Sequence, residues 1–300
     1  MAEPNTVELF CPAKLNLALS VGAADPSQGG LHPLVSWMVA LDYGDQLIVS
    51  RADGGPSRFD MSFDGKPAGD ERPWPLDTDL TFRAHGLLSE HVGRALDVNV
   101  VVHKHILPGA GLGGGSANAA GMMVALNQLF DLGMDAAALQ RLGIQLGSDV
   151  PFVVGALTGA TSAVVGGVGE QLETARRTDP IHLALAIPPF GCSTARVYAA
   201  FDELFEPSKQ PDLRRVRTLA AQPTITVDGP FNDLAEPACQ VEPRLGKARD
   251  RVAAACDLPV HITGSGSAMF VLAPDAPAAK TLAKHIGKQT GLQTIATRTI

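Results

Sequence analysis

The sequence predicts an α+β protein made of two halves, and three features of the chain indicate this class. Apolar residues alternate in the manner of β-strands over the first third of the chain. Helical periodicity follows at residues 78–92, 116–130 and 134–147. The last third mixes strands with charged helical segments. Three hundred residues, 45% hydrophobic and 18% charged, can bury a substantial core.

Two strands and a helix are predicted before the first glycine-rich segment. One strand covers residues 7–21, and a second covers 34–50 with a turn at its "YGD", residues 43–45. A loop-like region at 64–77 precedes a helix predicted at 78–92, where apolar residues recur at helical spacing.

The glycine-rich segment "PGAGLGGGSANAA", residues 108–120, follows a strand predicted at 96–107. A helix is predicted directly after its glycines, with Ser116 as the capping residue. The next predicted helix runs from Met134 to Gly147.

The chain is expected to divide into domains of residues 1–160 and 161–300, because the composition becomes rich in Gly, Ala and Val near this boundary. The elements predicted in the second domain are a strand at 181–189, helices near 195–206 and 241–255, a strand at 260–274, a helix at 276–289 and a strand at 292–300.

Charge and cysteine content argue against several classes of protein. A net charge of −7 disfavours a nucleic-acid-binding surface. The first ten residues lack the basic and apolar regions of a signal peptide, and no stretch reads as a membrane span. Four widely spaced cysteines fit a reducing cytosol better than a zinc site. We expect a cytoplasmic monomer or weak dimer that binds neither nucleic acid nor membrane.

The glycine-rich segment could be a phosphate loop, a dinucleotide-binding loop or a hinge, and these three interpretations predict different proteins. Residues 109–114 match the dinucleotide pattern G-x-G-x-x-G, which is weak here because the segment is so rich in glycine. The Walker pattern fails, because Gly115-Ser116 stands where G-K-[ST] is required. A hinge needs one or two glycines, not five. A phosphate loop is favoured, because its N–H groups and the following helix N-terminus can surround an anion.

Two side chains can assist an anion bound at this loop. Ser116 can donate its hydroxyl to a phosphate oxygen or to a metal-bound water. Lys104, on the preceding strand, either adds a positive charge or is an ordinary exposed strand lysine, and the sequence leaves both open.

Three motifs in order make the chain resemble the GHMP kinase superfamily. "PAKLNLAL" at 12–19 resembles its first motif, "AGLGGGSANAA" at 110–120 its second and "ITGSGSAMF" at 262–270 its third. The resemblance implies a two-domain GHMP kinase fold, with a ribosomal S5 domain 2-like N-terminal half, a C-terminal α/β half and an active site in the cleft between them. It also implies a small-molecule kinase that uses ATP and Mg²⁺. No cluster of carboxylates identifies ligands for the metal.

Further details resemble one branch of this superfamily, which phosphorylates the 2-hydroxyl of a cytidine diphosphate-linked methylerythritol in the non-mevalonate isoprenoid pathway. These are the triple glycine before Ser116, "PAKLNL" at 12–17, "LGSDVPF" at 146–152 and "FNDLAEP" at 231–237. The resemblance makes Lys14 the catalytic lysine and Asp149 the catalytic base. Considered from the residues alone, Lys14 needs a partner in its apolar strand, whereas Asp149 could be an ordinary turn residue.

ATP binding is assigned by the resemblance to the second motif and to residues near it. The residues are Lys104, Pro108, Gly109, Ala110, Gly111, Leu112, Gly113, Gly114, Gly115, Ser116, Ala117, Asp79 and Leu80. Asp79 departs from the asparagine that is common in the family near the adenosine, and an aspartate accepts hydrogen bonds but cannot donate them.

Acceptor binding is assigned by the resemblance to six residues, which are Asn16, His32, Tyr198, Gly264, Ser265 and Gly266. His32 corresponds to the histidine that hydrogen-bonds cytosine, and Tyr198 to an aromatic residue against the base. Leu31 stands where the family has a second aromatic residue, which removes about 1–3 kcal/mol of stacking. Two alternatives stay open: a GHMP kinase for another small alcohol, such as mevalonate or homoserine, and a non-catalytic ligand sensor.

Overall fold

The computed structural model describes residues 5–52, 54–63, 73–175, 179–206 and 208–300. The chain forms two compact units that alternate along the sequence. The first unit contains residues 1–14, 43–107 and 113–161, and the second contains residues 15–42, 108–112 and 162–300. The predicted domain boundary at residue 160 stays a prediction, because these units are defined by compactness alone.

The described residues form a mixture of helices and strands. The strands are β1 (Thr6–Val21), β2 (Leu34–Arg51), β3 (Arg58–Phe63), β4 (Val98–Lys104), β5 (Ser162–Gly167), β6 (Gln171–Thr174), β7 (His182–Ile187), β8 (Phe231–Asn232), β9 (His261–Ile262), β10 (Met269–Ala273) and β11 (Gln293–Arg298). The α-helices are α1 (Leu80–Val92), α2 (Gly114–Leu129), α3 (Ala136–Gly143), α4 (Val150–Leu157), α5 (Thr194–Leu204), α6 (Leu213–Ala220), α7 (Ala235–Val241), α8 (Pro243–Cys256) and α9 (Ala276–Thr290). Within the described ranges, no helix is both long enough and apolar enough to cross a bilayer.

The predicted fold class, a mixture of helices and strands, is confirmed. Most of the loop predicted at 64–77 lies outside the described residues. The turn predicted at 43–45 is wrong, because β2 continues through it without interruption. The polar Asp45 is tolerated inside this strand because its buried carboxylate accepts hydrogen bonds from the backbone N–H groups of His105 and Ile106.

Two predicted helix ends also differ from the structure. Helix α2 begins at Gly114, and its N-cap is Gly113 rather than Ser116, which lies in the first turn. Gly113 has a φ of 71°, a left-handed conformation that serine rarely adopts. Helix α3 ends at Gly143 instead of Gly147, because the chain turns there to begin α4 at Val150.

In the first unit, helix α2 is packed against the strand that carries Lys14. The second half of β2 pairs antiparallel with β4, and β3 pairs parallel with β4. Helix α2 is buried along most of its length. At Gly121 it lies so close to β1 that a Cβ would be 2.4 Å from Cys11 Sγ. This burial raises the pKa of the Cys11 thiol to about 12, with a further contribution from Asp45.

The second unit contains an antiparallel sheet in the order β11-β7-β10-β9. The first half of β2 pairs antiparallel with β5, and the second half of β1 pairs parallel with β8 at Ala18 and Leu19. An apolar cluster joins β1, β2, β7, β9 and β10 to α5, α7, α8 and α9, with Phe201, Met269 and Ile286 among its buried members. This packing supports the loop that connects β9 to β10.

Candidate active site

Lys14 and Asp149 form an ion pair in the first unit. The Lys14 Nζ lies 3.4 Å from the Asp149 Oδ2, and the two side chains are 6% and 24% exposed. Lys14 comes from β1, which explains its burial, since the strand is packed under α2. The partner that an apolar strand lysine requires is therefore Asp149.

Asp149 occupies the N-cap position of α4, immediately before Val150, the first residue of the helix, and Pro151 is the second. N-cap aspartates usually accept a hydrogen bond from the backbone of the first turn. The Asp149 side chain makes no such bond, so its carboxylate is directed to Lys14 instead. Asp149 does lie in the turn between α3 and α4, and its carboxylate also pairs with Lys14.

The second half of the glycine-rich segment lies against three residues that the sequence assigned to the site. A Cβ on Gly113 would be 2.8 Å from Lys14 Cγ and 3.5 Å from Asp149 Oδ2. A Cβ on Gly114 would be 3.1 Å from Lys104 Nζ. Because no Cβ is present, the backbone approaches the ion pair and the lysine directly.

Lys104 is buried rather than exposed, at 4% of its surface, so the exposed-lysine interpretation is wrong. Its ammonium donates to Asp45 Oδ2 and, at 2.7 Å, to Asn118 Oδ1. Asn118 in turn donates to Asp45 at 3.0 Å. The charge is therefore compensated inside the unit, as burial requires, and it lies against the backbone at the start of α2.

Asp79 and Leu80 lie at the start of α1. Asp79 is the N-cap, and its Oδ1 accepts from the Thr81 N–H at 2.8 Å while its Oδ2 accepts from the Trp74 indole at 2.9 Å. This capping role accounts for an aspartate at this position. Leu80 packs toward the glycines, because a Cβ on Gly115 would lie 3.3 Å from Leu80 Cδ1.

The first half of the glycine-rich segment, residues 108–112, belongs to the second unit. It packs on residues 263–268, the glycine-containing loop of the third motif, which is called the third glycine loop below. Gly111 has a φ of 77°, and a Cβ there would be 2.6 Å from the Thr263 carbonyl oxygen. The Ala268 N–H donates to the Ala110 carbonyl at 2.8 Å. The two glycine loops are thus in direct backbone contact.

Asn16 connects the first motif to this third loop. Its backbone N–H donates to Thr263 Oγ1 at 3.0 Å, and its side-chain amide donates to Ser36 Oγ at 2.7 Å. The Asn16 side chain is buried, as is Thr263. Ser265 exchanges a hydrogen bond of 2.9 Å with Thr194 at the start of α5.

His32 and Tyr198, both assigned to the acceptor by the resemblance, lie close together in the second unit. Their ring centroids are 4.8 Å apart. His32 Nδ1 donates to the Gly22 carbonyl at 3.0 Å, which leaves Nε2 facing Asp202 at 3.5 Å. Leu31, which precedes His32 in the chain, is 54% exposed.

The structure therefore gathers the predicted site residues into two groups, one in each unit. Sequence reasoning missed the residues that brace them, among them Asp45, Asn118 and Thr263. For Asp45 a signal existed: Lys104 follows Val98, Val100 and Val102 on the inward face of β4, and a buried lysine requires an acidic partner.

Comparison with known proteins identifies relatives across the whole chain. Residues 79–166 match the family model of the GHMP kinases N terminal domain. The 4-diphosphocytidyl-2-C-methyl-D-erythritol kinase of Thermobifida fusca (strain YX) is 37% identical over 289 residues, which cover 94% of this chain and 92% of that protein.

Solved structures show the same fold. The crystal structure of a 4-(cytidine 5'-diphospho)-2C-methyl-D-erythritol kinase matches with a TM-score of 0.73 and 31% identity, covering 98% of this chain and all of that one. L. major mevalonate kinase in complex with R-mevalonate matches with a TM-score of 0.69 over 100% of this chain and 98% of its own. At 12% identity, that second likeness shows the fold alone.

Proposed function

Because the chain belongs to the 4-diphosphocytidyl-2-C-methyl-D-erythritol kinases of the GHMP kinase superfamily, we propose that Asp149 and Lys14 are its catalytic pair. The protein is an ATP-dependent small-molecule kinase that phosphorylates the 2-hydroxyl of the cytidine diphosphate-linked methylerythritol. In this reaction the acceptor oxygen forms a bond to the γ-phosphorus of ATP, the bond from that phosphorus to ADP breaks, and the hydroxyl proton leaves.

Asp149 takes that proton. Its carboxylate makes no capping bond and is 24% exposed, so an acceptor hydroxyl can reach it. Lys14 orients the carboxylate from 3.4 Å and places an ammonium where negative charge develops on the transferred group. The Lys14–Asp149 pair, held under Gly113, is the observation that carries the proposal.

The glycine-rich segment fits the triphosphate of ATP, which supplies the phosphoryl group when bound. Backbone without Cβ atoms lies against Lys14 and Lys104, and the N-terminus of α2 follows at once with its unpaired N–H groups. We propose that residues 108–117 hold the phosphates, with Lys104, Asp79 and Leu80 on the nucleotide side. Mg²⁺ is expected with ATP, and no protein ligand for it is proposed.

The acceptor is proposed to bind through the second unit. His32 can present Nε2 to the cytosine, because its Nδ1 proton is engaged by Gly22. Tyr198 offers one aromatic face. Asn16 and the loop residues Gly264 to Gly266 are proposed to line the rest.

ADP release by the purified protein tests this function directly. With ATP and the cytidine diphosphate-linked methylerythritol we expect sustained turnover, and with mevalonate or homoserine none. Turnover with mevalonate or homoserine but not with the cytidine-linked alcohol would overturn the proposal. Neither a kinase of another alcohol nor a non-catalytic sensor is favoured, since the catalytic pair is present and relatives sharing more than 30% of their residues are the cytidine-linked kinases.

We further propose a cytoplasmic location, a monomer or weak dimer, and no nucleic-acid partner. Four free cysteines, of which Cys11 and Cys192 are buried, support a reducing compartment. The net charge of −7 supports the absence of a nucleic-acid partner.

A further inference from the structure

The "FNDLAEP" segment at 231–237 contains two polar residues, Asn232 and Asp233, to which the proposed reaction gives no role. Asn232 ends the short strand β8, which pairs with β1 through Leu19. Both residues belong to the second unit, as does the third glycine loop. Their hydrogen bonds show what the segment does.

The Asn232 side-chain amide makes three hydrogen bonds, all of them to backbone groups. Its Nδ2 donates to the carbonyl oxygens of Ile262 at 2.9 Å and Gly264 at 2.7 Å. Its Oδ1 accepts from the Leu234 N–H at 2.9 Å. Two N–H donors and an acceptor on one short side chain are found only in asparagine.

The two carbonyl groups belong to the entry of the third glycine loop. Ile262 ends β9, and Gly264 has a φ of 56°, so the chain reverses at the point where Asn232 holds it. On its other side the loop is held by Asn16 through Thr263 and by Ala110 through Ala268. Asn232 therefore constrains Gly264 through the carbonyl group of that residue.

Asp233 instead binds the residues that end β1. Its Oδ2 accepts from the Val21 N–H and from Ser20 Oγ, each at 3.0 Å, and from Lys209 Nζ at 2.6 Å. Lys209 also donates to the Val21 carbonyl at 2.9 Å. The residue after Val21 is Gly22, whose carbonyl accepts from His32. Neighbouring residues of one segment thus brace two parts of the acceptor side.

We propose that Asn232 is a positioning residue that fixes the third glycine loop for the acceptor. This inference rests on the proposed function, because it assumes that Gly264, Ser265 and Gly266 contact the acceptor. Asn232 itself touches backbone and not the reacting atoms. Its removal should let the loop move and should weaken acceptor binding more than ATP binding.

Two variants remove the donors in different ways. In Asn232→Asp the carboxylate keeps the acceptor for Leu234 and turns an acceptor oxygen toward two carbonyl oxygens. In Asn232→Ser the amide is lost without a new charge, which keeps the test valid if the aspartate variant folds poorly. Thr297→Val is the control for general destabilisation of the same unit. Thr297 lies on β11, away from the loop, and the substitution removes its hydrogen bond to Asp42.

Steady-state kinetics with the full-length protein provide the first readout. A shift of about 1 Å in a positioning group can lower the rate about 10²-fold. We therefore expect kcat/KM for the cytidine diphosphate-linked acceptor to fall 10- to 100-fold, while the Kd of ATP stays within a factor of two. The Thr297→Val variant should keep the acceptor kcat/KM of the wild type.

Hydrogen exchange of the peptide that contains residues 263–268 provides the second readout. We expect faster exchange in both Asn232 variants and unchanged exchange in Thr297→Val. Unchanged exchange in the Asn232 variants, or a kinetic loss no greater than that of Thr297→Val, would overturn the inference. If the wild type itself does not turn over the acceptor, the proposed function fails, and hydrogen exchange still decides whether Asn232 holds the loop.

Discussion

Replacing Gly113 with alanine should disable the catalytic pair while leaving the fold in place. Gly113 has a φ of 71° and a ψ of 24° at the start of α2. The new Cβ would lie 2.8 Å from Lys14 Cγ and 3.3 Å from Lys14 Cε. Ordinary carbon–carbon contacts are about 3.5–4.0 Å, so the lysine stem must move by about 1 Å.

Two costs follow from this geometry. The left-handed backbone costs an alanine roughly 1–2 kcal/mol of folding free energy. Moving the Lys14 ammonium by about 1 Å from its place beside Asp149 should lower kcat about 10²-fold. That loss corresponds to about 2.7 kcal/mol of activation free energy.

Gly93→Ala is the matched control, because Gly93 has a φ of 67° and a ψ of 23°. A Cβ at Gly93 meets no atom within 4 Å. The two variants should lose similar stability in chemical denaturation, but only Gly113→Ala should lose turnover in the ADP-release assay. If Gly113→Ala keeps a kcat within twofold of Gly93→Ala, the glycine is not what allows Lys14 to approach, and the reasoning is refuted.

Three further predictions concern other parts of the molecule. Lys104→Met should lower the free energy of unfolding by about 3 kcal/mol in urea denaturation, since it leaves the Asp45 carboxylate buried without its counter-charge, and should raise the Kd of ATP. Unchanged stability and ATP affinity would contradict this. Leu31→Tyr should lower the acceptor KM about tenfold, or ~1.4 kcal/mol, by adding an aromatic face; an unchanged KM would place the base elsewhere. Burial lowers the pKa of His261, and the hydrogen bond to the Val227 carbonyl only partly opposes this effect. The folded protein therefore binds a proton at His261 at a lower pH than the unfolded chain does. Stability should therefore fall as the pH drops below about 6.5, and His261→Gln should flatten that slope in denaturant titrations from pH 8 to pH 5.

The ion pair of Lys14 and Asp149 was predictable because these residues are chemically unusual where they stand. A lysine within the apolar strand of "PAKLNLAL" requires a partner, and Asp149 follows a helix at the start of another. The glycine-rich segment stood out for the same reason, since five glycines leading into a helix have few structural uses. Neither pattern could give the 3.4 Å separation, because that distance depends on how α2 packs over β1.

The parts that sequence could not predict are those whose reasons lie far away in the chain. The "YGD" at 43–45 has the composition of a turn, yet it continues a strand because Asp45 is satisfied by His105 and Ile106, sixty residues later. Asn232 contacts Ile262 and Gly264 across thirty or more residues. Local propensity carries no information on such partners, and tertiary hydrogen bonds override it.

A single-turnover comparison of the wild type with Asp149→Asn tests the central claim most directly. Each enzyme, in excess over acceptor and saturated with ATP, is mixed and quenched, and the phosphorylated cytidine-linked product is measured. If Asp149 takes the hydroxyl proton, the wild type forms product within one turnover and Asp149→Asn does so about 10²–10⁴ times more slowly, with an unchanged Kd for ATP. Product formation by Asp149→Asn at the wild-type rate would contradict the account.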